Sequence, residues 1–100
     1  MDKVTIRWTQ IGYESFEEVV QYIVKDSPYY GSNFASKILN LVEQLSLFPR
    51  MGREVPEYQN PTIRELIYQN YRIVYEVQDT AVWILLIIHG SRWLPETART

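Results

Sequence analysis

The second half of the chain alternates short apolar segments with turn residues, which is the pattern of an antiparallel β-meander. Apolar and charged residues mix in IRELIY (63–68) and YRIVYEV (71–77), whereas AVWILLII (81–88) is apolar on both faces and fits a central strand. Gln69-Asn70 suits a two-residue hairpin turn, and Gln78-Asp79-Thr80 supplies turn residues for the second connection. The pattern therefore predicts three consecutive antiparallel strands.

These two turns also predict the pairing register. If Tyr68 pairs with Tyr71, then Ile67 lies opposite Arg72, and if Val77 pairs with Val82, then Arg72 lies opposite Ile87. Because side chains alternate across a sheet, one face is uniformly apolar and is the predicted core: Leu66, Ile73, Tyr75, Val77, Val82, Ile84, Leu86 and Ile88. The other face mixes charges with apolar residues: Ile63, Glu65, Ile67, Arg72, Val74, Glu76, Trp83, Leu85, Ile87 and His89. Any functional site is expected on this second face or along its rim.

The first half of the chain predicts one strand and two helices. Residues 3–8 (KVTIRW) alternate apolar and polar side chains, as expected for a half-exposed strand beside the meander. A helix with either Thr9 or Ser15 as its N-cap ends near Asp26, and Ser27-Pro28 starts a second helix. Apolar residues recur at helical spacing in both, at Phe16, Val19, Val20, Ile23 and Val24, and then at Phe34, Ile38, Leu41, Val42, Leu45 and Phe48.

Together these elements predict a single α+β domain over residues 1–100 with the order β-α-α-β-β-β. The two-helix hairpin is expected to pack on one face of an antiparallel sheet and to leave the opposite face open to a partner or substrate. The longest loop, residues 50–61, precedes the meander.

Composition narrows the class of protein. The 100-residue chain has no cysteine, a formal net charge of −2 and no apolar run that could serve as a signal sequence or span a membrane, so a soluble cytoplasmic protein without cofactor or metal is expected. The net charge argues against broad nucleic-acid coating. Six of the seven arginines nevertheless lie in the second half: Arg50, Arg53, Arg64, Arg72, Arg92 and Arg99.

Several of these arginines are candidate functional residues. Arg72 interrupts an apolar strand, so it must either pair with Glu65 or Glu76 or emerge to meet a ligand. Arg92 could converge with Arg72 and His89 into a phosphate-binding cluster, in which His89 would be a general acid or base. The alternatives are an ion pair for Arg72, a solvated strand end for Arg92 and a rim position for His89. Glu65 fits a salt-bridge partner or, alternatively, a base.

The loop and the chain ends offer further candidates. Arg50 and Arg53 flank Gly52 and form either a basic contact loop or a solvated one. Trp8 and Trp93 are candidate anchors for a partner, and packing is the alternative.

Three segments resemble the RelE/ParE superfamily of type II toxin-antitoxin toxins. They are FPRMGREVPEY (48–58), IRELIYQNYRIVY (63–75) and VWILLIIHGSRWLP (82–95), and the resemblance spans nearly the whole chain. It implies a small α/β toxin that a cognate antitoxin wraps and neutralises in a hetero-oligomer.

Within that superfamily the resemblance leaves two branches. RelE-like members are ribosome-dependent mRNA endonucleases, whose arginines match Arg72 and Arg92, with Glu65 and His89 as substitutes for the remaining catalytic groups. Ile63 and Glu65 stand where those enzymes carry lysines, and no tyrosine follows Arg92. The pattern is closer to ParE-like toxins, which poison DNA gyrase by binding. A non-toxic interaction module of the same fold is a third alternative. On the ParE-like interpretation, the residues that contact the target or antitoxin are Arg50, Arg53, Arg64, Arg72, His89, Arg92 and Trp93.

Overall fold

Residues 3–92 and 94 are described by the structure, a computed structural model, and they form two helices and a five-stranded sheet. The elements are β1 (Thr5–Trp8), α1 (Gln10–Asp26), α2 (Pro28–Gln44), β2 (Arg53–Glu54), β3 (Ile63–Tyr68), β4 (Tyr71–Val77) and β5 (Ala81–His89). The predicted α+β class and element order are confirmed. The two-residue strand β2, inside the predicted loop, is an addition that the sequence pattern did not indicate.

The sheet has the strand order β1-β5-β4-β3-β2. Strands β3 to β5 pair antiparallel, as predicted, and the additional strand β2 pairs antiparallel with β3. By contrast, β1 pairs with β5 in parallel, so the whole sheet is mixed. β5 lies between β1 and β4, which explains why both of its faces are apolar.

Short polar side chains fix where the helices begin and how α1 meets the sheet. Thr9 is the N-cap of α1: its Oγ1 accepts a hydrogen bond from Gly12 N (2.9 Å) and donates to the Ile84 carbonyl of β5 (3.1 Å). Ser27 caps α2 in the predicted way, with Pro28 in the first turn. Among the residues described, neither helix is long and apolar enough to cross a membrane.

The sheet buries apolar side chains on both faces. The helix-facing core consists of Phe34, Ile38, Val42, Leu45, Ile73, Tyr75, Val82, Ile84 and Ile87. A second core lies on the opposite face and consists of Val55, Ile63, Val74, Leu85, Leu86 and Leu94. The prediction of an open second face is therefore wrong at this end of the sheet, because the loop after β2 and the segment at Leu94 cover it. The predicted apolar stripe of α2 also extends too far, since Phe48 is 55% exposed.

The predicted register is confirmed near both turns. Tyr68 pairs with Tyr71, Ile67 with Arg72, and Val77 with Val82.

Further along β5 the predicted register is wrong, because a β-bulge intervenes. Tyr75 pairs with Ile84 but Val74 pairs with Leu86, which leaves Leu85 as the extra residue. One added residue reverses the faces of everything that follows, so Ile87 enters the helix-facing core, while Leu86 and Ile88 join the second core. Arg72 consequently lies opposite Ile88 and not Ile87.

Candidate functional site

A buried network of charged side chains lies on the second face of the sheet, and Arg72 is at its centre. Arg72 Nε donates to Glu65 Oε1 (2.6 Å), and its two terminal nitrogens donate to the two oxygens of Glu57 (2.7 and 2.8 Å). The side chains of Arg72 and Glu57 are each 7% exposed, and that of Glu65 is fully buried. Of the two predicted partners of Arg72, the structure selects Glu65 and not Glu76, and it adds Glu57.

Glu65 is held by a second arginine. β2 pairs with β3 so that Arg53 lies opposite Glu65, and Arg53 Nε donates to Glu65 Oε2 at 2.6 Å. The network thus contains two guanidinium groups and two carboxylates, so its formal charge is zero. Each carboxylate oxygen of Glu65 thus accepts a charge-assisted hydrogen bond from a different arginine, so the geometry makes Glu65 an ion-pair partner.

The electrostatics of the network follow from these contacts. Hydrogen bonding from Arg72 lowers the pKa of Glu57 from its ordinary 4.5 to about 2, against the opposing effect of burial. The hydrogen bond to Glu57, with Glu65 contributing further, raises the pKa of Arg72 above its usual range. Glu57 and Arg72 are therefore both charged at neutral pH.

The same network ties the end of the described chain to the sheet. Arg72 Nη1 also donates to the Arg92 carbonyl (3.4 Å), and Leu94 N donates to Glu57 Oε2 (3.4 Å). Leu94 is 4% exposed and packs in the second core. Arg72 and Glu57 thus connect three segments: the loop after β2, the sheet and the residues that follow β5.

His89 lies on the other side of the sheet from Arg72. The β-bulge in β5 turns it toward the helix side, where its ring meets Tyr71 edge-on with centroids 5.5 Å apart. Its Nδ1 accepts a hydrogen bond from Ser91 N (3.2 Å) and lies 2.7 Å from Ser91 Oγ. The prediction that His89 shares the face of Arg72 is therefore wrong, although its position at the rim agrees with the alternative.

A shallow depression of about 790 Å³ brings several predicted site residues near one another. Its lining includes Arg53, Ile67, Arg72, His89 and Arg92, because it lies at the end of the sheet, beside the β3–β4 turn and the end of β5, where residues of both faces reach it. Arg92 and His89 are exposed at its rim, whereas Arg72 is bound from below by carboxylates. Within residues 3–92 and 94, no group of three or more acidic or imidazole side chains is placed to hold a metal ion.

The remaining predicted arginines lie around the loop before β2. Arg64 donates to the carbonyls of Pro61 (3.0 Å) and Gly52 (2.9 Å), and Arg50 donates to the same Pro61 oxygen (3.5 Å). Gly52 N in turn donates to the hydroxyl of the buried Tyr75 at 3.0 Å. Trp93, the last predicted contact residue, lies outside the described residues.

Glu57 is the functional-site residue that sequence reasoning missed. It lies in the loop after β2, where no periodicity predicts the direction of a side chain, and it is 15 positions from Arg72. The one available signal was electrostatic: a buried arginine on a strand requires full compensation, and Glu57 is an acid in the adjoining loop.

Three solved structures share this fold. The chromosomal ParDE toxin-antitoxin system from P. aeruginosa aligns with a TM-score of 0.70 and 19% identity over 87% of this chain and 96% of that chain. The RelBE2 toxin-antitoxin complex from Mycobacterium tuberculosis aligns with a TM-score of 0.64 and 20% identity, over 87% of this chain and 98% of that chain. A free E. coli RelE toxin carrying two arginine-to-alanine substitutions aligns with a TM-score of 0.67 and 14% identity, over 91% of this chain and 86% of that chain. No curated protein sequence matches the chain.

Sequence comparison with protein families is more specific than these structural likenesses. The family described as "ParE toxin of type II toxin-antitoxin system, parDE" matches residues 6–93. This match covers both helices, strands β2 to β5 and every member of the charged network. The RelE/ParE resemblance and its ParE-like branch are confirmed: the chain belongs to the ParE toxin family of type II toxin-antitoxin systems.

Proposed function

We propose that this protein inhibits growth by binding DNA gyrase, that it does not cleave RNA, and that a cognate antitoxin neutralises it. Family membership supports the toxin role. The gyrase target rests on the resemblance to ParE-like toxins, which poison DNA gyrase by binding. The observation that carries the choice against RNA cleavage is the full engagement of Arg72 by two carboxylates of its own chain.

A nuclease of this type requires an arginine whose positive charge is available to the transferring phosphoryl group. Electrostatic stabilisation of a transition state depends on donors aimed at the developing charge. Four of the five N–H groups of Arg72 are committed, three to carboxylate oxygens and one to a carbonyl. Releasing them would leave two buried carboxylates without this partner, at a cost of about 3–5 kcal/mol.

The other candidate nuclease groups are also poorly placed for chemistry. Glu65 is fully buried between Arg53 and Arg72, so it has no access to a ribose hydroxyl. His89 faces the helix side of the sheet and holds Ser91. On this proposal Arg72 positions the loop and the chain end, and the exposed arginines contact the target or the antitoxin.

A cognate antitoxin is supported by the relatives and by the surface. Two of the structural relatives are toxin-antitoxin systems or complexes. The helical hairpin exposes large apolar or aromatic side chains that a protein partner would cover, namely Ile11, Tyr13, Tyr22, Tyr29 and Tyr30. We expect a toxin-antitoxin hetero-oligomer in the cytoplasm.

RNA cleavage on the ribosome is the second candidate function. The observation that favours it is the single depression lined by Arg72, His89 and Arg92. In this alternative the ribosome and its mRNA would be the partners, and the three side chains would surround the scissile phosphate.

One experiment separates the two functions. The purified toxin is added to gyrase with plasmid DNA and, in parallel, to ribosomes translating a defined mRNA, each with and without an excess of the antitoxin. Our proposal expects gyrase-linked DNA cleavage or loss of supercoiling that antitoxin reverses, with intact mRNA. Codon-phased mRNA cleavage with normal gyrase activity would refute it. If expression causes no growth defect and neither assay responds, the non-toxic interaction module is the correct alternative.

A further inference from the structure

An exposed patch that the charged network does not involve lies at the end of α2. We call it the arginine-apolar patch and define it by Leu47, Phe48, Arg50, Met51 and Arg64. The three apolar side chains are 39%, 55% and 40% exposed, respectively. They are exposed because the buried stripe of α2 ends at Leu45, after which the chain turns away from the core.

The two arginines of the patch lie close together, but only Arg50 is exposed, whereas the side chain of Arg64 is 16% exposed. Both donate to the Pro61 carbonyl oxygen, Arg50 at 3.5 Å and Arg64 at 3.0 Å. Glu54, itself exposed, is 4.0 Å from Arg64, and no carboxylate of residues 3–92 and 94 lies within that distance of Arg50. By contrast, Arg53 and Arg72 are bound to buried carboxylates.

The patch is held in a fixed conformation before any partner arrives. Arg64 binds two loop carbonyls, and Gly52 N donates to the hydroxyl of Tyr75, which is fully buried. A preformed surface loses less conformational entropy on binding, so its contacts contribute more to affinity.

The chemistry of the patch indicates its partner. Arginine beside exposed phenylalanine and methionine is the composition enriched in protein interfaces, and a guanidinium binds a carboxylate with two parallel hydrogen bonds. A nucleic-acid backbone fits less well, because the exposed Leu47, Phe48 and Met51 lie within three positions of Arg50 in the chain and the net charge of the protein is −2. We infer that the arginine-apolar patch binds an acidic side chain flanked by apolar residues on the target protein, an inference that rests on the proposed function.

Paired substitutions test this inference in the full-length toxin. Arg50→Glu and Phe48→Ser alter the patch, whereas Lys37→Glu and Leu39→Ser make the same charge and polarity changes on the exposed side of α2. Affinity for gyrase, measured by biolayer interferometry, should fall about tenfold or more for each patch variant and stay within about twofold for the controls. Arg50→Lys should retain part of the affinity, and Arg50→Glu should bind with a weaker salt dependence than the wild type.

Each possible result either supports or overturns the inference. Patch variants that bind gyrase like their controls, with unchanged thermal unfolding, would overturn this inference while leaving the proposed function intact. If the patch variants lose antitoxin binding but retain gyrase binding, the patch binds the antitoxin and the inference is wrong. If the wild type is a dimer that Arg50→Glu dissociates, the patch binds a second copy of the toxin and the inference is also wrong. If the wild type fails to bind gyrase, the proposed function falls and this inference falls with it.

Discussion

Replacing Arg72 by methionine is the most informative perturbation of the charged network. The substitution keeps a long side chain but removes the charge from between two carboxylates that are fully buried (Glu65) and 7% exposed (Glu57). Glu65 retains Arg53, whereas Glu57 retains no arginine among the described residues and keeps only backbone hydrogen bonds, from its own N–H and from Leu94 N (3.4 Å). Breaking a buried ion pair on one side costs about 3–5 kcal/mol, a large fraction of the roughly 5–15 kcal/mol that stabilises a typical domain.

The structure also predicts that a second substitution restores most of this loss. In Arg72→Met with Glu57→Gln, one charge of each sign is removed and the Glu65–Arg53 pair remains, so we expect a net loss of only about 1–2 kcal/mol. The corresponding double-mutant cycle should give a coupling energy of at least about 2 kcal/mol, because the loss caused by Glu57→Gln alone adds to the difference between the single and double variants. Glu57→Gln alone completes the cycle.

Urea unfolding followed by tryptophan fluorescence and circular dichroism measures these differences. Arg92→Met is the matched control, since Arg92 is exposed and contributes only its carbonyl to the network; it should change stability by less than about 0.5 kcal/mol. A loss below about 1 kcal/mol for Arg72→Met, or no recovery in the double variant, would refute the buried pairing and with it the argument against RNA cleavage.

Three further predictions concern pH and backbone contacts. The pKa of Glu57 is lowered to about 2 in the folded protein, so its contribution to stability is fully present above pH 4.5 and is lost as the pH falls from 4.5 toward 2. Acid unfolding should therefore be less steep in Glu57→Gln than in the wild type, and identical acid-unfolding profiles of the two proteins would contradict this. Gly12→Ala would push a methyl group into the Ile84 carbonyl of β5 and should cost about 1–3 kcal/mol in urea unfolding, so an unchanged midpoint would mean that α1 lies further from β5. Ser15→Ala removes the hydroxyl that accepts a hydrogen bond from Ile87 N (2.9 Å), so it should lower the free energy of unfolding by about 1–3 kcal/mol. Hydrogen exchange of the Ile87 amide should become faster, and an unchanged exchange rate would contradict this prediction.

Local chemistry explains what the sequence predicted correctly. The Gln69-Asn70 turn sets the β3–β4 register directly, although the positive φ of the turn (52°) lies at Gln69 and not at Asn70, whose residue type tolerates it better. Ser27-Pro28 predicted the start of α2 because the N-cap and the fixed proline φ act within one turn of the helix. For α1 the earlier of the two possible caps, Thr9, is correct, since its hydroxyl also reaches β5.

The errors have a different physical origin. The face of His89 was predicted wrongly because the bulge at Leu85 lies in a segment that is apolar on both faces, where an extra residue leaves no mark on the hydrophobic pattern. The compensation by Glu57 was missed because it depends on how a loop folds back over the sheet. Both errors affect the candidate site more than the fold, since the site depends on side-chain direction and the fold on the number and order of elements.

The function that we propose for this fold depends on how the charge of one residue, Arg72, is compensated. The structures described as ParDE, RelBE2 and RelE all align with TM-scores of 0.64–0.70, so they share the fold, and the fold alone does not decide the activity. On our proposal, the feature that argues against RNA cleavage in this chain is that Arg72 lies between Glu57 and Glu65, which compensate its charge. Removing Glu57 would still leave Arg72 bound to the buried Glu65, and it would also release the hydrogen bond to Leu94. No single substitution of an acid therefore frees the guanidinium for phosphate, because each carboxylate independently retains it.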